Sequence, residues 1–173
     1  MNLKQTIAEI RKAEKGVNTS PTEGQIAAGN YKKGHVVVNG FAITIENPKG
    51  SVRSGVDPDG KEWSQKMNHT YGYFDSTLGK DGDAIDVFIG DNPLSEVVYV
   101  IDQNDVVTGK FDESKVMFGF DTQADAKRAY MSNYSRGWRG FGSITKVSVL
   151  DFKEWLYDGF KQRKPFSEYT TVV

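Results

Sequence analysis

Two helical patterns open the chain. Over residues 3–15, apolar side chains recur on one face of a helix and charged side chains occupy the other faces. A capping box over residues 20–23, with Pro21 at the first helical position, predicts a second helix that ends near Gly29. Residues 30–34 then form a loop. The chain therefore begins with a helical lead-in before any strand.

Strand patterns follow the lead-in. The dipeptide Asn39–Gly40 is a strong hairpin signal, and alternating hydrophobic residues flank it over 35–46. Residues 47–55 contain glycine, serine and two cations, and we expect a loop there. Short runs of apolar and aromatic residues predict further strands over 61–67, 71–74, 84–90, 97–101 and 115–118.

The last third returns to mixed patterns. A helix is predicted over 122–134, a strand over 144–149 and a final helix after Ser148. We therefore expect an α+β fold, a small distorted closed β-barrel of five or more mostly antiparallel strands with flanking helices. The expected organisation is a helical lead-in over 1–34, a main domain over 35–160 and a C-terminal tail over 161–173.

Composition narrows the function classes. The chain has 22 Lys and Arg residues against 23 Asp and Glu residues, so no net positive field favours nucleic acid. It has no cysteine, which excludes disulfides and thiolate metal sites. No long apolar run is present, so we expect no membrane span and a cytoplasmic location. Self-association is left open.

An acidic stretch at 81–89 is the main candidate for chemistry. Asp81 and Asp83 belong to a turn, and Asp86 enters the apolar run that follows. An unpaired charge inside a buried strand is costly, so a cation or a hard metal ion is expected beside Asp86. Clustered oxygen ligands suit Mg²⁺, Mn²⁺ or Ca²⁺. The alternative is a polar turn whose carboxylates are all solvated.

Other charged residues extend this candidate site. Carboxylates hold hard metal ions, whereas cations and phenols hold phosphate oxygens, so a site with both suits metal-bridged phosphates. Two divalent ions can lower the pKa of a bridging water, and a further carboxylate can take its proton. The acids are Glu46, Asp81, Asp83, Asp86, Asp102, Asp112 and Glu113. The cations are Lys49, Arg53, Lys115 and Arg136, and the phenols are Tyr71, Tyr73 and Tyr134.

Five ordered motifs resemble the family I soluble inorganic pyrophosphatases. Residues 81–87 (DGDAIDV) are similar to the family signature Asp-x-Asp-Pro-hydrophobic-Asp-hydrophobic, with Ala84 in place of the usual proline. The other motifs are residues 45–50 (IENPKG), the Tyr-Gly-Tyr at 71–73, residues 113–115 (ESK) and residues 133–136 (NYSR). The resemblance covers about 40–160. Residues 19–36 resemble the lead-in of pyrophosphatase-like domains in phage and mobile-element proteins.

The resemblance implies a function and a role for each residue. It implies Mg²⁺-dependent hydrolysis of pyrophosphate to two phosphates by a metal-activated water, with Mn²⁺ as a substitute ion. Asp83 would be the base, and Tyr71 would hydrogen-bond in the pocket. The implied metal ligands are Asp81, Asp86, Glu113, Asp112 and Glu46. The implied substrate-binding residues are Lys49, Arg53, Lys115, Tyr134 and Arg136.

Departures from the family pattern keep alternatives open. Glu113 replaces an aspartate, and a phosphate-binding lysine of the family has only Arg53 nearby. Arginine and lysine bind phosphate differently, so a nucleotide or another phosphoanhydride is an alternative substrate. A second alternative is a module that binds metal and phosphate without turnover. A third is a structural role in a phage or mobile element, with the helix over 3–15 docking on a partner.

Overall fold

The computed structural model describes residues 1–169. Within these residues the chain forms four α-helices and nine β-strands, followed by two short 3-10 turns at 161–163 and 166–168. The helices are α1 (Leu3–Lys15), α2 (Glu23–Ala28), α3 (Gln123–Ser132) and α4 (Val149–Leu156). The strands are β1 (Gly34–Val38), β2 (Phe41–Asn47), β3 (Val52–Val56), β4 (Glu62–Lys66), β5 (Thr70–Phe74), β6 (Asp86–Ile89), β7 (Val97–Asn104), β8 (Phe111–Phe118) and β9 (Phe141–Ser148).

Seven strands form one mostly antiparallel sheet in the order β1-β2-β5-β6-β8-β7-β9. The pair β6 and β8 is parallel, and β3 and β4 form a separate two-stranded hairpin. The expectation of a mixed α+β fold is confirmed. The expectation of a closed barrel is wrong, because no ladder joins β1 to β9 within residues 1–169. Helix α4 completes the core instead, with the ring of Phe152 lying 5.7 Å from Phe41 and 5.6 Å from Phe74.

The central strands are covered on both faces. Val87 and Ile89 of β6 belong to one hydrophobic cluster, which also contains side chains from α1 and α4. Phe88 of the same strand belongs to a second cluster, against which α3 packs through Ala126 and Tyr130. A strand that is buried on both faces carries a continuous apolar run, which is the pattern that follows Asp86 in the sequence.

Two local expectations are wrong. Residues 52–55 of the expected loop belong to β3, which pairs with β4. Gly55 belongs in this strand because a Cβ atom there would lie 2.7 Å from the indole of Trp63. Helix α2 is capped by Thr22, whose side chain and that of Gln25 form the reciprocal capping box, and it begins at Glu23. The capping residue therefore lies two positions after the predicted one.

The C-terminal segment is tied to the sheet. Asp102 of β7 accepts hydrogen bonds from the backbone N–H groups of Phe166 and Ser167, at 2.6 and 3.0 Å. The buried ring of Phe166 lies 5.0 Å from Trp155. The end of the predicted tail, 170–173, lies outside the described residues. None of the described helices has both the length and the apolar character that a bilayer crossing requires.

Candidate active site

The parallel pairing of β6 and β8 places Asp86 directly opposite Lys115. The ammonium of Lys115 donates to Oδ2 of Asp86 at 2.7 Å and to the phenol oxygen of Tyr71 at 2.8 Å. Its Nζ also lies 2.6 Å from Oε1 of Glu113. The Lys115 side chain is only 4% exposed, so its charge is neutralised within the protein. These four residues are called the Lys115 cluster below.

The two carboxylates of the Lys115 cluster differ in pKa. Burial opposes ionisation of Asp86, yet the Lys115 ammonium and a hydrogen bond with Glu113 lower its pKa. Burial raises the pKa of Glu113 to about 7; the Lys115 ammonium opposes this rise, and the negative charge of Asp86 adds to it. The pair therefore combines an ionised carboxylate with a neighbour that titrates near neutral pH.

A turn at 79–83 brings two further acids to the start of β8. Gly82 has φ +87°, a conformation that glycine adopts readily, and the N–H of Asp83 donates to Oδ1 of Asp81 at 3.0 Å. Lys80 donates to the carbonyl oxygen of Phe111 at 2.5 Å, which fastens the turn to β8. Burial and the nearby charge of Asp81 raise the pKa of Asp112. Asp81 and Asp112 are therefore close enough for their charges to interact.

Tyr71 lies between two cations. Its ring is 5.3 Å from Nζ of Lys115 and 4.8 Å from the guanidinium carbon of Arg53, both within cation–π range. Gly72 allows β5 to lie close to β2, because a Cβ atom there would be 1.9 Å from the carbonyl oxygen of Thr44. The Tyr-Gly-Tyr motif thus supplies a phenol to the Lys115 cluster from a tightly packed strand.

Arg53 reaches the site from the β3–β4 hairpin. Its guanidinium also lies 5.3 Å from the ring of Trp63, so the side chain is held between two aromatic rings. The contacts identified within residues 1–169 give Arg53 no carboxylate partner. Its planar donors are therefore available for an anion at the Lys115 cluster.

Tyr134 follows α3 and has a fixed ring. The indole of Trp138 stacks on it at 4.5 Å with an interplanar angle of 11°. Trp138 is held in turn, since its Nε1 donates to the hydroxyl of Tyr130 at 2.8 Å and that hydroxyl donates to Gln103 at 2.6 Å. The Tyr134 hydroxyl is buried and has no hydrogen-bond partner in the described structure. A buried polar group of this kind is costly, so a ligand oxygen is the partner it lacks.

Glu46 lies at the edge of the site beside Tyr31. Burial raises the pKa of Glu46, the charge of Asp86 raises it further, and Lys33 and Arg53 oppose the rise. The hydroxyl of Tyr31 lies 3.5 Å from Oε2 of Glu46. Glu46 is therefore near the Lys115 cluster without being part of it.

Two predicted substrate-binding residues are not joined to the Lys115 cluster by any contact found within residues 1–169. Lys49 is exposed and lines a small cavity with Arg11 and His69. After burial, its charge is the main effect that lowers the pKa of His69. Arg136 is exposed in the turn after α3. Arg53, Lys115 and Tyr134 remain the phosphate-binding candidates that the structure brings together.

The model of the inorganic pyrophosphatase family matches residues 23–157. The chain belongs to the inorganic pyrophosphatase family. The activity of this family is the hydrolysis of pyrophosphate to two phosphates, and the five motifs named above fall within the matched segment. No curated protein sequence matches the chain.

Solved structures of three bacterial proteins are similar to this inorganic pyrophosphatase family member. The inorganic pyrophosphatase of Coxiella burnetii is 17% identical with a TM-score of 0.40, and the match covers 70% of this chain and 94% of that one. The inorganic pyrophosphatase of Helicobacter pylori is 16% identical with a TM-score of 0.36, and the match covers 76% of this chain and 93% of that one. The inorganic phosphatase of Anaplasma phagocytophilum is 19% identical with a TM-score of 0.34, and the match covers 76% of this chain and 93% of that one. At these TM-scores the family assignment rests on the family model alone.

Membership of the family implies a divalent metal ion. The carboxylates of the candidate site could hold such an ion two at a time. Among residues 1–169, no three acidic or histidine side chains are grouped closely enough to surround a single ion. Mg²⁺ is commonly held by one or two carboxylates, with water and substrate phosphate completing its shell. The described structure has two such pairs, Asp86 with Glu113 and Asp81 with Asp112. Oε1 of Glu113 is buried 2.6 Å from the Lys115 ammonium, so a metal ion there would replace part of that ion pair.

Sequence reasoning missed several residues around the site. Tyr31 and Lys33 lie in the predicted loop, but no motif gave them a role at the site; Nζ of Lys33 lies 5.0 Å from the ring of Tyr31 and 5.6 Å from that of Tyr73. No motif singled out Trp63 or Trp138 either. The available signal was the spacing of Trp138 four residues after Tyr134. The resemblance of residues 19–36 to phage and mobile-element domains stays a prediction.

Proposed function

We propose that the Lys115 cluster, Arg53, Tyr134 and the turn at 79–83 form the catalytic centre at which this chain hydrolyses pyrophosphate. The observation that carries the proposal is the buried ammonium of Lys115, held by Asp86, Glu113 and Tyr71 beside the guanidinium of Arg53, which has no carboxylate partner within residues 1–169. Burying an ion pair is costly, and within residues 1–169 the Tyr134 hydroxyl near this pair is buried without a hydrogen-bond partner. That arrangement suits a ligand that brings both anionic oxygens and cations.

Mg²⁺ is the proposed ion. Asp86 with Glu113 and Asp81 with Asp112 would hold it, and Glu46 would bind its water ligands. When bound, Mg²⁺ lowers the pKa of a coordinated water so that hydroxide forms near neutral pH. The carboxyl of Glu113, which titrates at about 7, can lose its proton to accept a cation without leaving the physiological range.

Asp83 is the proposed base toward the attacking water. It lies in the same turn as Asp81, one residue from Gly82, and its side chain is exposed rather than committed to the Lys115 cluster. The water oxygen forms a bond to one phosphorus atom, the bond from that atom to the bridging oxygen breaks, and the proton passes to Asp83. Two phosphates result, and the exposed position lets Asp83 return its proton to solvent.

The cations and phenols are proposed to bind phosphate oxygens. Arg53 offers planar donors, and Tyr134 offers a hydroxyl that has no hydrogen-bond partner in the described part of the chain. Burial raises the pKa of Tyr71 well above its ordinary value, so this phenol stays protonated and can donate. Lys115 would exchange part of its contact with Asp86 and Glu113 for a phosphate oxygen. Lys49 and Arg136 are not assigned to phosphate binding, because both are exposed and neither contacts the Lys115 cluster within residues 1–169.

The direct test is phosphate release from pyrophosphate with Mg²⁺, Mn²⁺ or Ca²⁺. We expect release by the unmodified protein with Mg²⁺, and losses of about a hundredfold or more in kcat for Asp83→Asn and Asp86→Asn. Asp91→Asn is the matched control, because Asp91 is exposed and borders the cavity near His69. Absence of release by the unmodified protein with every ion would overturn the proposal, and so would equal losses in all three variants.

A further inference from the structure

A cavity of about 380 Å³ adjoins the proposed catalytic centre. Glu46 and Arg53 line the side of the cavity that adjoins the centre, together with Tyr31, whose hydroxyl lies 3.5 Å from Glu46. Residues 18–21 form a further wall. Residues 18–21 precede residue 23, where the match to the family model begins. This wall is therefore an addition that lies outside the family-matched segment.

The added wall is fixed in place. The N–H of Asn18 donates to the carbonyl oxygen of Lys32 at 2.9 Å, and Oδ1 of Asn18 accepts from the N–H of Ser20 at 3.0 Å. The N–H of Gly16, at the end of α1, donates to the carbonyl oxygen of Ala13 at 3.1 Å, so the helix before this segment has a capped C-terminus. The hydrogen-bonded backbone of this segment thus gives the cavity a preformed wall, as preformed ligand sites have.

The lining is mostly polar and uncharged, with a smaller apolar part. Thr19 and Ser54 supply hydroxyl groups, and Pro21, Ile26 and Val52 supply the apolar surface. Hydroxyl groups of this kind can hydrogen-bond an uncharged organic group, and 380 Å³ is within the size range of small-molecule sites. A further phosphate is a poor occupant, because the lining contains one cation, Arg53, and one carboxylate, Glu46. An uncharged group with apolar and hydroxyl surfaces suits the lining better.

Tyr31 gives the cavity an aromatic hydroxyl donor. Its hydroxyl lies 3.5 Å from Oε2 of Glu46. The ring lies under the ammonium of Lys33 at 5.0 Å. The same ring offers a flat surface and a polar edge to a ligand that enters from the Arg53 side.

We propose that this cavity is a subsite for the organic group of a monosubstituted pyrophosphate, so that nucleoside 5′-diphosphates are substrates alongside pyrophosphate. This inference rests on the proposed function, because the two phosphates would occupy the pyrophosphate position with the nucleoside in the cavity. The water oxygen bonds to the terminal phosphorus, and the bond from that phosphorus to the bridging oxygen breaks. The bridging oxygen stays on the nucleoside monophosphate, and inorganic phosphate and a proton are released.

Phosphate release from pyrophosphate and from a panel of nucleoside diphosphates, with Mg²⁺ present, tests the inference. The key variant is Ser54→Phe, which places a bulky ring in the cavity from an exposed strand position. We expect its kcat/KM to fall about tenfold more for nucleoside diphosphates than for pyrophosphate. Ser64→Phe is the control, since Ser64 lies opposite Ser54 in the hairpin and does not line this cavity. Ser64→Phe is expected to leave kcat/KM unchanged for both substrates.

Each other outcome is decisive. Hydrolysis of pyrophosphate without hydrolysis of any nucleoside diphosphate overturns the subsite and leaves the proposed function standing. Equal losses on both substrates in Ser54→Phe also overturn it, and Thr19→Phe repeats the test if Ser54→Phe does not fold. If pyrophosphate itself is not hydrolysed, the proposed function fails. The subsite is then judged by calorimetry with a methylene-bridged nucleoside diphosphate, where binding that Ser54→Phe weakens supports it and absence of binding overturns it.

Discussion

Lys115 and Asp86 are directly opposed in a parallel strand pair, and Nζ of Lys115 lies 2.7 Å from Oδ2 of Asp86. The side chain of Asp86 is 22% exposed and that of Lys115 is 4% exposed. Removal of one member of a buried ion pair leaves the other charge without compensation, which is more costly than the pair itself is stabilising. Lys115 therefore contributes to the stability of the site as well as to its proposed chemistry.

We expect Lys115→Gln to lower the free energy of unfolding by about 3–5 kcal/mol, because Asp86 and Glu113 would then face one another without a cation. Urea unfolding of the metal-free protein measures this. Lys110→Gln is the matched control, since Lys110 is exposed shortly before Lys115. Identical unfolding midpoints for the two variants would contradict the role assigned to Lys115.

The metal-free protein should lose stability as pH rises from about 4.5 to 7. The folded-state pKa of Glu113 is raised to about 7 from an ordinary value of 4.5, so the folded state holds a proton that the unfolded state has released. Stability from this proton is fully present below pH 4.5 and is lost as pH passes 7. The shift corresponds to ~3 kcal/mol at most.

The unfolding free energy of Glu113→Gln should therefore depend less on pH than that of the unmodified protein between pH 4.5 and 7. Urea titrations at several pH values in the presence of a chelator provide the comparison. Glu96→Gln, at an exposed site beside β7, should keep the unmodified profile. Parallel profiles for the unmodified protein and Glu113→Gln would show that another group governs this pH range.

Tyr134→Phe should separate activity from stability. Its hydroxyl is buried without a partner, so removal should leave stability unchanged or raise it by about 1 kcal/mol. Loss of a hydrogen bond to a charged phosphate should lower kcat/KM for pyrophosphate by about ten- to a hundredfold. Tyr130→Phe is the contrasting variant, because its hydroxyl bonds both Trp138 and Gln103 and its loss should cost about 1–3 kcal/mol. Unchanged activity in Tyr134→Phe would remove this phenol from the site.

Mg²⁺ should stabilise the folded protein against heat. An ion that binds only the folded state raises the melting temperature as its concentration exceeds the dissociation constant. We expect Asp86→Asn to lose most of this rise and Asp91→Asn to keep it. Differential scanning fluorimetry across an Mg²⁺ series, with a chelator as the zero point, measures the effect without reference to turnover. A full rise in Asp86→Asn would place the ion elsewhere.

Asp102 should be important for stability and not for catalysis. Its carboxylate is buried, and it accepts from Ser143 at 2.6 Å as well as from the N–H groups of Phe166 and Ser167. Asp102→Ala leaves these donors unpaired and should lower the free energy of unfolding by about 3 kcal/mol. Asp59→Ala, in the exposed turn between β3 and β4, should have little effect. Loss of pyrophosphate hydrolysis by folded Asp102→Ala would reassign this acid to the site.

Local patterns predicted most of the elements, because their causes are local. The Asn39–Gly40 hairpin is present with φ values of 50° and 83°, which are set by those two residues. Helix α1 occupies the predicted 13 residues. Strand β3 was missed because Ser54 and Gly55 disfavour strands, and their partners in β4 supply the stabilising contacts.

The arrangement of the site was less accessible from sequence. Asp86 was expected to need a cation, and the sequence contained Lys115, but their contact depends on β8 entering the sheet between β6 and β7. Lys49 belongs to the family-like motif at 45–50 and yet lies beside His69, because residues 48–51 turn before β3 begins. Side-chain position after a turn is not encoded in residue spacing. The prediction of a closed barrel was wrong for a similar reason, since α4 supplies packing that no strand pattern reveals.

The parallel pairing of β6 with β8 also has a consequence for folding. Asp86 and Lys115 are 29 residues apart, and β8 reaches its place only after the chain has traversed β7. Non-local parallel contacts form slowly, because the entropy of the intervening chain is lost before the contacts can compensate it. A slip of one residue in β8 would turn Lys115 toward the opposite face and replace it with an apolar or hydroxyl side chain. We therefore expect ligand-binding competence to be among the last properties acquired during refolding, and pyrophosphate binding to report correct strand register.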